Sequence, residues 1–459
     1  MTQPSVRSGD AGLAALRAVE AELDRRWPES RIEPSLTRIA ALVDLLGFPQ
    51  RGYPVLHIAG TNGKTSVARM LDALLSRIGL RVGRYTSPHL QWATERISLD
   101  GASISPERYA EAYHDIEPYV ALVDAGSPVP MSKFEVLTGM ALAAFADAPV
   151  DAAVVEVGLG GSWDATNVVD GAVAAITPIA VDHVKYLGSD IERIAAEKAG
   201  IIKSGSVVVL AMQPPEVARV IAARSVEMDA TVAREGMEFG VLHRDVDACG
   251  QRLRLQGLGG GYDEVFLPLH GAHQSRNAGL ALAAAEAFFG AGASRSLDID
   301  VVRDAFAAVT APGRLERVRT APAVLLDGAH NPHGARALAR ALREDFSFRR
   351  LVAVVGVMRD KDAHGILVEL EPVVDDVVVT AGGSPRAMDV DDLAAAARKV
   401  FGESRLRVQR RLSDAIDTAL ASAAEVDPDS EGISDVGVVI TGSVATVGEA
   451  RTVFGRRPQ

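Results

Sequence analysis

Hydrophobic residues are grouped in two different ways along the chain, and from residue 54 onward the two groupings alternate. Short apolar runs predict buried strands at 55–59, 152–157, 173–176 and 207–210. After Gly63, apolar residues recur at positions 67, 70, 71, 74, 75 and 78, which is the spacing of one helix face. Strands that alternate with helices are typical of a parallel sheet covered on both faces, so we predict an α/β fold.

The pattern changes between residues 231 and 269, where polar and apolar residues alternate and glycines interrupt them, as in LRLQGLGGGYDEVFLPL. This texture predicts a small antiparallel patch. A helix is expected at 277–289, and the Pro-Gly pair in APGRLERV, residues 311–318, indicates the approach to a domain boundary.

Strand and helix patterns alternate again beyond that boundary. Strands are predicted at 323–326, 351–355, 377–380 and 438–441, with a helix at 334–342. We therefore predict an N-terminal P-loop-type domain with a mostly parallel sheet, residues 1–318, and a smaller C-terminal Rossmann-like α/β domain, residues 319–459. The segment 422–435, rich in serine and acidic residues, is expected to be a mobile loop.

Composition narrows the classes of function. The 459 residues are 48% hydrophobic and carry a formal net charge of -12 without clusters of Lys and Arg, which argues against nucleic-acid binding. The single cysteine, Cys249, cannot form an intramolecular disulfide, which suits a reducing compartment. No eighteen apolar residues run together and the N-terminus lacks a secretory signal, so we expect a cytoplasmic protein without membrane contact, and a monomer.

The segment HIAGTNGKTS, residues 57–66, combines a strand, a glycine-containing turn and the start of a helix, which is a geometry that binds phosphate. The standard P-loop pattern needs a glycine where Ile58 stands, and an ordinary strand-to-helix turn is the alternative. Lys64 is expected to reach the terminal phosphates of a nucleotide, and Thr65 to offer its hydroxyl to Mg²⁺. The predicted nucleotide-binding residues of this loop are Gly60, Thr61, Asn62, Gly63, Lys64, Thr65 and Ser66.

Further polar residues follow neighbouring predicted strands. Glu156 lies on an otherwise apolar strand that ends in glycines, so it is interpreted as a metal ligand, with a buried partner of some arginine as the alternative. Asp182 and His183 lie just beyond the strand that ends at 176. The carboxyl ends of parallel strands are where open α/β folds bind ligands, so these groups are expected to converge. Lys198, after a short helix, is a surface lysine when taken alone.

Together these segments resemble the folylpolyglutamate synthase and dihydrofolate synthase family, a branch of the Mur ligase superfamily of ATP-dependent amide-forming enzymes. The resemblance spans residues 55 to about 332 in family order, with weaker support beyond in MRDKD and TGSVATVGEAR. The matching strings are AGTNGKTS, TSPHL, ERISLDG, SKFEVLT, VEVGLGGSWDATN, DHVKYLG, EKAGIIK, HQSRNAGLAL, PGRLE and DGAHNP. The superfamily uses a T-N-G-K loop without the early glycine, which accounts for Ile58.

The resemblance implies a set of site residues. It implies two Mg²⁺ ions, the first near Thr65, Ser87 and Glu156 and the second near Glu156, His183 and Lys198, with Lys198 carried as a carbamate formed by CO₂ addition. ATP would lie in an interdomain cleft near Asn277, Arg314 and Asp327, while Lys64, Lys198 and His330 would serve catalysis. The matching positions for the pterin side are Leu36, Thr37, Arg38, Ile39, Ser132, Lys133, Phe134, Glu135, Trp163, Asp164 and Ala165.

The implied activity is ATP-dependent addition of L-glutamate to dihydropteroate and to reduced folates through an acyl phosphate. Two positions depart from the family: Ser162 stands where an arginine is common, and Thr65 where folate members often have a second glycine. The alternatives are a UDP-muramyl amino acid ligase and an ATP-binding module that ligates nothing. The 54 residues before the loop strand are too few for the additional N-terminal domain that is usual in the first alternative.

Overall fold

The computed structural model of the protein describes residues 6–28, 33–290, 296–424 and 436–459. Most of the predicted mobile loop, residues 425–435, lies outside the described residues. Strands and helices alternate as predicted, and they form two sheets with helices on their faces together with a small third sheet. The α/β prediction is therefore confirmed. No helix among the described residues is both long and apolar enough to span a membrane.

The strands and helices have the following bounds. The strands are β1 (Val55–Ala59), β2 (Val82–Tyr85), β3 (Ile97–Leu99), β4 (Ala102–Ser103), β5 (Ala152–Glu156), β6 (Gly171–Ile176), β7 (Val207–Leu210), β8 (Thr231–Arg234), β9 (Gly240–Asp247), β10 (Gly250–Gln256), β11 (Gly261–Leu267), β12 (Glu316–Thr320), β13 (Ala323–Leu326), β14 (Arg350–Val355), β15 (Asp376–Thr380), β16 (Leu406–Gln409) and β17 (Val436–Thr441). The helices are α1 (Val6–Leu23), α2 (Thr37–Leu45), α3 (Lys64–Ile78), α4 (Pro106–Gly126), α5 (Lys133–Asp147), α6 (Val184–Leu187), α7 (Ile191–Ala199), α8 (Pro215–Glu227), α9 (Ala272–Phe288), α10 (Ile299–Ala307), α11 (Pro332–Asp345), α12 (Ala363–Leu370), α13 (Val390–Phe401), α14 (Leu412–Ala424) and α15 (Val444–Val453).

The first sheet has eight strands in the order β4-β3-β2-β5-β1-β6-β7-β8. The neighbouring strands in the part β2-β5-β1-β6-β7-β8 of this order are all parallel. The β2–β3 and β3–β4 pairs are antiparallel. The strand β1 lies between β5 and β6, so its carboxyl end opens where the neighbouring strands also end.

The antiparallel patch predicted at 231–269 is only partly correct. Strands β9, β10 and β11 form a three-stranded antiparallel sheet. Residues Thr231–Arg234, however, pair with β7 in parallel and form the edge of the first sheet. An edge strand has a neighbour on one side only, so part of its side chains are exposed to solvent. Its polar and apolar residues therefore alternate, as they do in an antiparallel strand.

The second sheet has six strands in the order β12-β13-β17-β14-β15-β16. It is mixed: β12 is antiparallel to β13, and the other pairs are parallel. The boundary predicted between residues 318 and 319 falls inside β12, which begins at Glu316. The Pro-Gly pair at 312–313 marks the turn that precedes this strand, so the chain enters the second sheet a few residues earlier than expected.

Helix α3 forms because its apolar residues fall on one face, and that face is buried. Val67, Met70, Leu71, Leu74 and Leu75 are each 0% exposed and pack in one core with β1 and β6. Helix α9 lies beside α3, and its run of fully buried alanines lets the two helices approach closely. The first turns of both helices point toward the carboxyl edge of the first sheet, where the candidate site lies.

A buried ion pair joins α3 to β2. Asp72 and Arg84 have side chains that are 3% and 4% exposed, and the Arg84 Nη1 donates to Asp72 Oδ2 at 2.6 Å. The other terminal nitrogen of Arg84 donates to Ser98 Oγ at 2.6 Å. Removal of the carboxylate charge therefore leaves a guanidinium buried without compensation.

We expect Asp72→Asn to lower the free energy of unfolding by about 3–5 kcal/mol, because one partner of a buried ion pair is lost. The measurement is thermal and denaturant unfolding followed by circular dichroism. The matched control is Asp304→Asn, which breaks the Arg77–Asp304 pair at the end of the same helix, where both side chains are 57% exposed. Asp304→Asn is expected to lower the free energy of unfolding by less than about 1 kcal/mol. Equal losses of stability in the two variants would contradict the prediction.

Candidate active site

One large cavity of about 1380 Å³ lies between the first and second sheets. Its walls include the carboxyl ends of β1, β5 and β6 and the first turns of α3, α9 and α11. Helix N-termini present free N–H groups and a positive dipole end, so this arrangement favours anionic ligands. Most of the predicted site residues line this cavity, from both sides of the cleft.

The loop from Gly60 to Lys64 adopts the tight turn that the sequence predicts. Gly60 and Gly63 have φ values of 141° and 97°, a region that residues with a Cβ rarely adopt. The Lys64 Nζ donates to the carbonyl oxygens of Gly60 at 3.2 Å and Thr61 at 3.4 Å. Burial lowers the pKa of Lys64, and the charge of Glu156 partly opposes this shift. The ammonium is thus held at the loop where phosphate oxygens would lie.

Glu156 is 1% exposed at the end of β5. It accepts hydrogen bonds from Thr65 Oγ1 at 3.0 Å and from the Ser87 backbone N–H at 3.4 Å. Burial raises the pKa of Glu156, while the Lys64 charge acts in the opposite direction. A carboxylate with neighbouring hydroxyls offers the hard oxygen ligands that Mg²⁺ prefers. No group of three or more His, Cys, Asp or Glu side chains placed for a metal occurs among the described residues.

Asp182 is the centre of a polar network that joins the two sides of the cleft. Its carboxylate accepts from Lys361 Nζ at 2.6 Å and from Asn331 Nδ2 at 2.9 Å, and His330 Nε2 lies 3.6 Å away. Burial alone would raise the pKa of Asp182, but the nearby His330 ring and the charge of Lys361 outweigh it and hold that pKa below its usual range. Asp182 therefore stays ionised and ties the first domain to the second.

His183 and Lys198 lie near this network. His183 has a φ of 52°, and its Nε2 lies 3.4 Å from Lys361 Nζ. Burial and the Lys361 charge lower the pKa of His183 to about 3, so the imidazole is neutral and able to bind a metal. Lys198 is 5% exposed near the end of α7. Burial and the Lys64 charge lower its pKa to about 7.

The nucleotide loop contacts the second domain directly. The Asn62 amide and the Asn331 amide exchange two hydrogen bonds of 3.2 Å each, and Asn62 Nδ2 also lies 3.0 Å from His333 Nδ1. Asn331 caps the N-terminus of α11 by accepting from the Gly334 N–H. The sequence reasoning missed Asn331, His333 and Lys361 as site residues, although Asn331 lies in DGAHNP, His333 directly follows that motif and Lys361 lies in MRDKD. The signal that could have found Lys361 is its position just beyond β14, because ligands gather at the carboxyl edge of a sheet.

The other predicted nucleotide residues lie on the same wall. Asn277 Nδ2 donates to Gln274 Oε1 at 3.1 Å, and a Cβ on Gly63 would lie 2.7 Å from Asn277 Oδ1. Asp327 accepts from the N–H groups of Leu315 at 2.8 Å and Ala329 at 2.9 Å, so it holds two loops together at the cavity. Arg314 also lines the cavity and donates to the Gly313 carbonyl at 3.1 Å.

Most of the predicted pterin residues form the other end of the cavity. Arg38 Nε donates to Glu135 Oε1 at 3.0 Å, and Ser132 and Glu135 form the capping box at the start of α5. Asp164 is 3% exposed and accepts the Leu159 N–H at 2.9 Å. The members of this set that line the cavity are Arg38, Ser132, Phe134, Glu135, Trp163, Asp164 and Ala165.

Four predicted pterin residues lie away from the cavity wall. Lys133 follows the cap of α5 and turns outward, where its ammonium pairs with Glu20 at 2.9 Å and Asp24 at 2.8 Å. Along the segment LTRI the helical period turns only the Arg38 side chain to the cavity. Leu36 packs against the neighbouring core, Thr37 is exposed and Ile39 is 0% exposed.

Comparison with known proteins places this geometry in a family. The model of the Mur ligase middle domain matches residues 129–285, and that of the Mur ligase glutamate ligase domain matches residues 313–443. A dihydrofolate synthase/folylpolyglutamate synthase of Mycobacterium tuberculosis is 61% identical over 97% of this chain and 95% of its own length. The chain belongs to the dihydrofolate synthase/folylpolyglutamate synthase family. Like the rest of this family, it is an ATP-dependent ligase of the Mur type.

Solved structures of family members have the same fold. Mycobacterium tuberculosis folylpolyglutamate synthase complexed with ADP superposes with a TM-score of 0.94 at 59% identity, covering 98% of this chain and 100% of that one. Escherichia coli FolC in complex with DHPP and ADP gives a TM-score of 0.82 at 31% identity, covering 96% of this chain and 97% of that one. These matches confirm the two-domain α/β fold and nucleotide binding as a property of the family.

We expect Gly63→Ala to raise the KM for ATP about tenfold, because the new Cβ would be 2.7 Å from Asn277 Oδ1 in a conformation that already strains an alanine. The measurement is steady-state ADP release at varied ATP. The matched control is Gly79→Ala at the other end of α3, where φ is 108° and no atom of the described residues lies within 4 Å of the new Cβ. It carries the same backbone strain without the contact, so its KM for ATP should be unchanged. A similar rise in both variants would show that strain alone is responsible.

Proposed function

We propose that this protein joins L-glutamate in amide linkage to dihydropteroate, and to reduced folates through their γ-carboxyl groups, with ATP cleaved to ADP and phosphate. The observation that carries the proposal is a single cavity with a nucleotide loop on one wall and a separate end lined by Arg38, Phe134, Trp163 and Asp164. The names of the relatives and the ADP bound in their solved structures support it. All of these residues belong to one chain, so a monomer is expected to be active.

The first step is attack of the acceptor carboxylate on the γ-phosphate of ATP, which breaks the bond to ADP and forms an acyl phosphate. Charge accumulates on the transferring group, and the chain's own contribution is the Lys64 ammonium together with the N–H groups at the start of α3. Arg314, Asp327 and Asn277 would hold the nucleotide beside this loop. Binding both substrates in one geometry converts the encounter into an intramolecular step.

Two Mg²⁺ ions fit the oxygen and nitrogen groups around Glu156. Thr65, Ser87 and Glu156 would hold the first ion, and Glu156, His183 and Lys198 the second. The fit rests on the buried carboxylate of Glu156, which has the Thr65 hydroxyl at 3.0 Å, and on the neutral imidazole of His183. When bound, the ions would neutralise negative charge on the phosphates and on the reacting carboxyl group.

A carbamate at Lys198 fits the same surroundings. With a pKa of about 7, the Lys198 amine is largely neutral above neutral pH, and only the neutral amine adds CO₂. Addition forms an N–C bond, releases a proton and leaves an anionic oxygen ligand. When Lys198 is protonated its ammonium group is repelled by that of Lys64, and a carbamate replaces this repulsion by attraction.

The second step is attack of the glutamate α-amine on the acyl carbonyl, after which phosphate leaves and the amide remains. His330 would orient the incoming glutamate or the reacting carboxylate, and the approach of its ring to Asp182 at the cleft supports this role. The contacts of Asn62 and Asp182 with the second domain would help to hold the cleft closed, and a closed cleft excludes water. Water that entered would hydrolyse the acyl phosphate.

The proposal predicts glutamate-dependent ADP release with both dihydropteroate and tetrahydrofolate as acceptors. Purified protein, MgATP and L-glutamate are incubated with each of these and with a UDP-muramyl acceptor, and ADP is followed with a coupled assay. Extension of tetrahydrofolate alone would reject the bifunctional claim. Turnover with the UDP-muramyl acceptor alone would identify the protein as a UDP-muramyl amino acid ligase instead. ATP binding without turnover of any acceptor would identify it as an ATP-binding module that ligates nothing.

We expect Lys198→Ala to lower kcat by about 10²–10³, because a ligand of the proposed second metal ion is lost. A short carboxylate such as formate or acetate should restore part of the activity by supplying the missing oxygen ligand. The matched control is Lys399→Ala, which removes an exposed lysine of α13 and should leave kcat unchanged. Incorporation of labelled CO₂ at Lys198, followed by carbon NMR of the intact protein, tests the carbamate without turnover. A labelled carbamate signal that persists in Lys198→Ala would show that the carbamate is not at Lys198.

A further inference from the structure

His57 is a buried histidine that the proposed chemistry does not use. It occupies the middle of β1, among apolar neighbours, and is 0% exposed. Gly171 on the adjacent strand leaves room for it, because a Cβ there would lie 3.1 Å from the His57 Cβ. Burial, with the nearby charge of Lys203, lowers the pKa of His57 to about 3, so the ring is neutral. A neutral imidazole in a strand core needs a reason beyond apolar packing.

The ring leads into a chain of hydrogen bonds. His57 Nε2 lies 3.0 Å from Thr166 Oγ1, and the Thr166 hydroxyl donates to Asp164 Oδ1. Because the hydroxyl hydrogen is used on Asp164, Thr166 can only accept from His57, which places the imidazole proton on Nε2. Nδ1 is then an acceptor, and it has no hydrogen-bond partner within the described ranges. The direction is therefore fixed from His57 through Thr166 to the carboxylate.

The chain ends at the wall of the cavity. Thr166 is 0% exposed and Asp164 is 3% exposed, so water does not compete for these bonds. Asp164 Oδ1 also accepts the Thr166 N–H at 3.0 Å, and Oδ2 accepts the Leu159 N–H at 2.9 Å. The carboxylate thus holds both ends of the segment 159–166, which carries Trp163 to the acceptor end of the cavity.

We propose that His57 is a positioning residue for the acceptor end of the cavity, acting through Thr166 on the carboxylate of Asp164. The inference rests on the proposed function for the identity of the acceptor. A positioning role for His57 predicts a different kinetic effect from a purely structural role in β1. Strand β1 runs directly into the nucleotide loop, which begins at Gly60, so simple damage to the strand would impair ATP binding first. Loss of the hydrogen-bond chain would instead impair binding of the acceptor.

The experiment compares His57→Leu, which removes the donor, with His57→Gln, whose amide N–H can replace it, and Thr166→Val with Thr166→Ser. We expect the KM for the pterin acceptor to rise about tenfold in His57→Leu and Thr166→Val, with the KM for ATP unchanged. His57→Gln and Thr166→Ser should recover most of the loss. The double variant of His57→Leu with Thr166→Val should be no worse than either single one, because both break the same chain.

A control shows what loss of a buried hydroxyl does elsewhere. Ser225 is 1% exposed on α8, donates to the Ile221 carbonyl at 2.8 Å and does not line the cavity, so Ser225→Ala should change neither KM. A rise of both KM values together in the His57 variants, or additive losses in the double variant, would overturn the inference. If the wild-type protein used neither pterin acceptor, the proposed function would fail. A crystal structure of His57→Leu would still decide the inference, according to whether the Asp164 carboxylate leaves the Leu159 N–H.

Discussion

The candidate site depends on charged groups that are removed from water at the carboxyl edge of one sheet. Glu156, Asp182 and Lys198 are each less than a tenth exposed, and Lys64 is held at the loop beside them. Charges in such a place persist only when opposite charges or hydrogen bonds compensate the loss of hydration. The parallel sheet supplies that compensation, because strands that end together bring carboxylates and ammonium groups from distant parts of the chain into one space.

The second domain completes this compensation. Lys361 pairs with Asp182 at 2.6 Å, although the two residues are 179 positions apart, and the Asn331 amide bonds both Asp182 and Asn62. If the cleft opened, Asp182 would lose these partners together. The same contacts that stabilise the buried carboxylate therefore favour a closed cleft, and a closed cleft is what protects an acyl phosphate from water.

The sequence alone was sufficient for the fold class, and most of the residues that it predicts for the site line one cavity. The bounds of β1 and β7 agree with prediction, since continuous apolar runs are a strong signal for central strands. The edge strand β8 was misassigned, and the partners Asn331 and Lys361 were missed, because contacts across two domains leave no local pattern. Lys133 shows the opposite kind of error, a residue that the motif predicts for the site but that lies outside it. Its side chain points to α1.

The structure gives a physical reason for Thr65, which stands where folate members of the family often have a second glycine. A glycine there would leave Glu156 with fewer donors, whereas the Thr65 hydroxyl lies 3.0 Å and 3.1 Å from its two oxygens. Ser162 works differently: its hydroxyl bonds Glu197 at 2.9 Å, so a neutral group holds a carboxylate that an arginine would have neutralised. The negative charge of Glu197 then acts on the adjacent Lys198 and opposes the effect of Lys64. The electrostatic balance at Lys198 is thus set by the loop that lines the acceptor end as well as by the nucleotide loop, and β1 supports both loops.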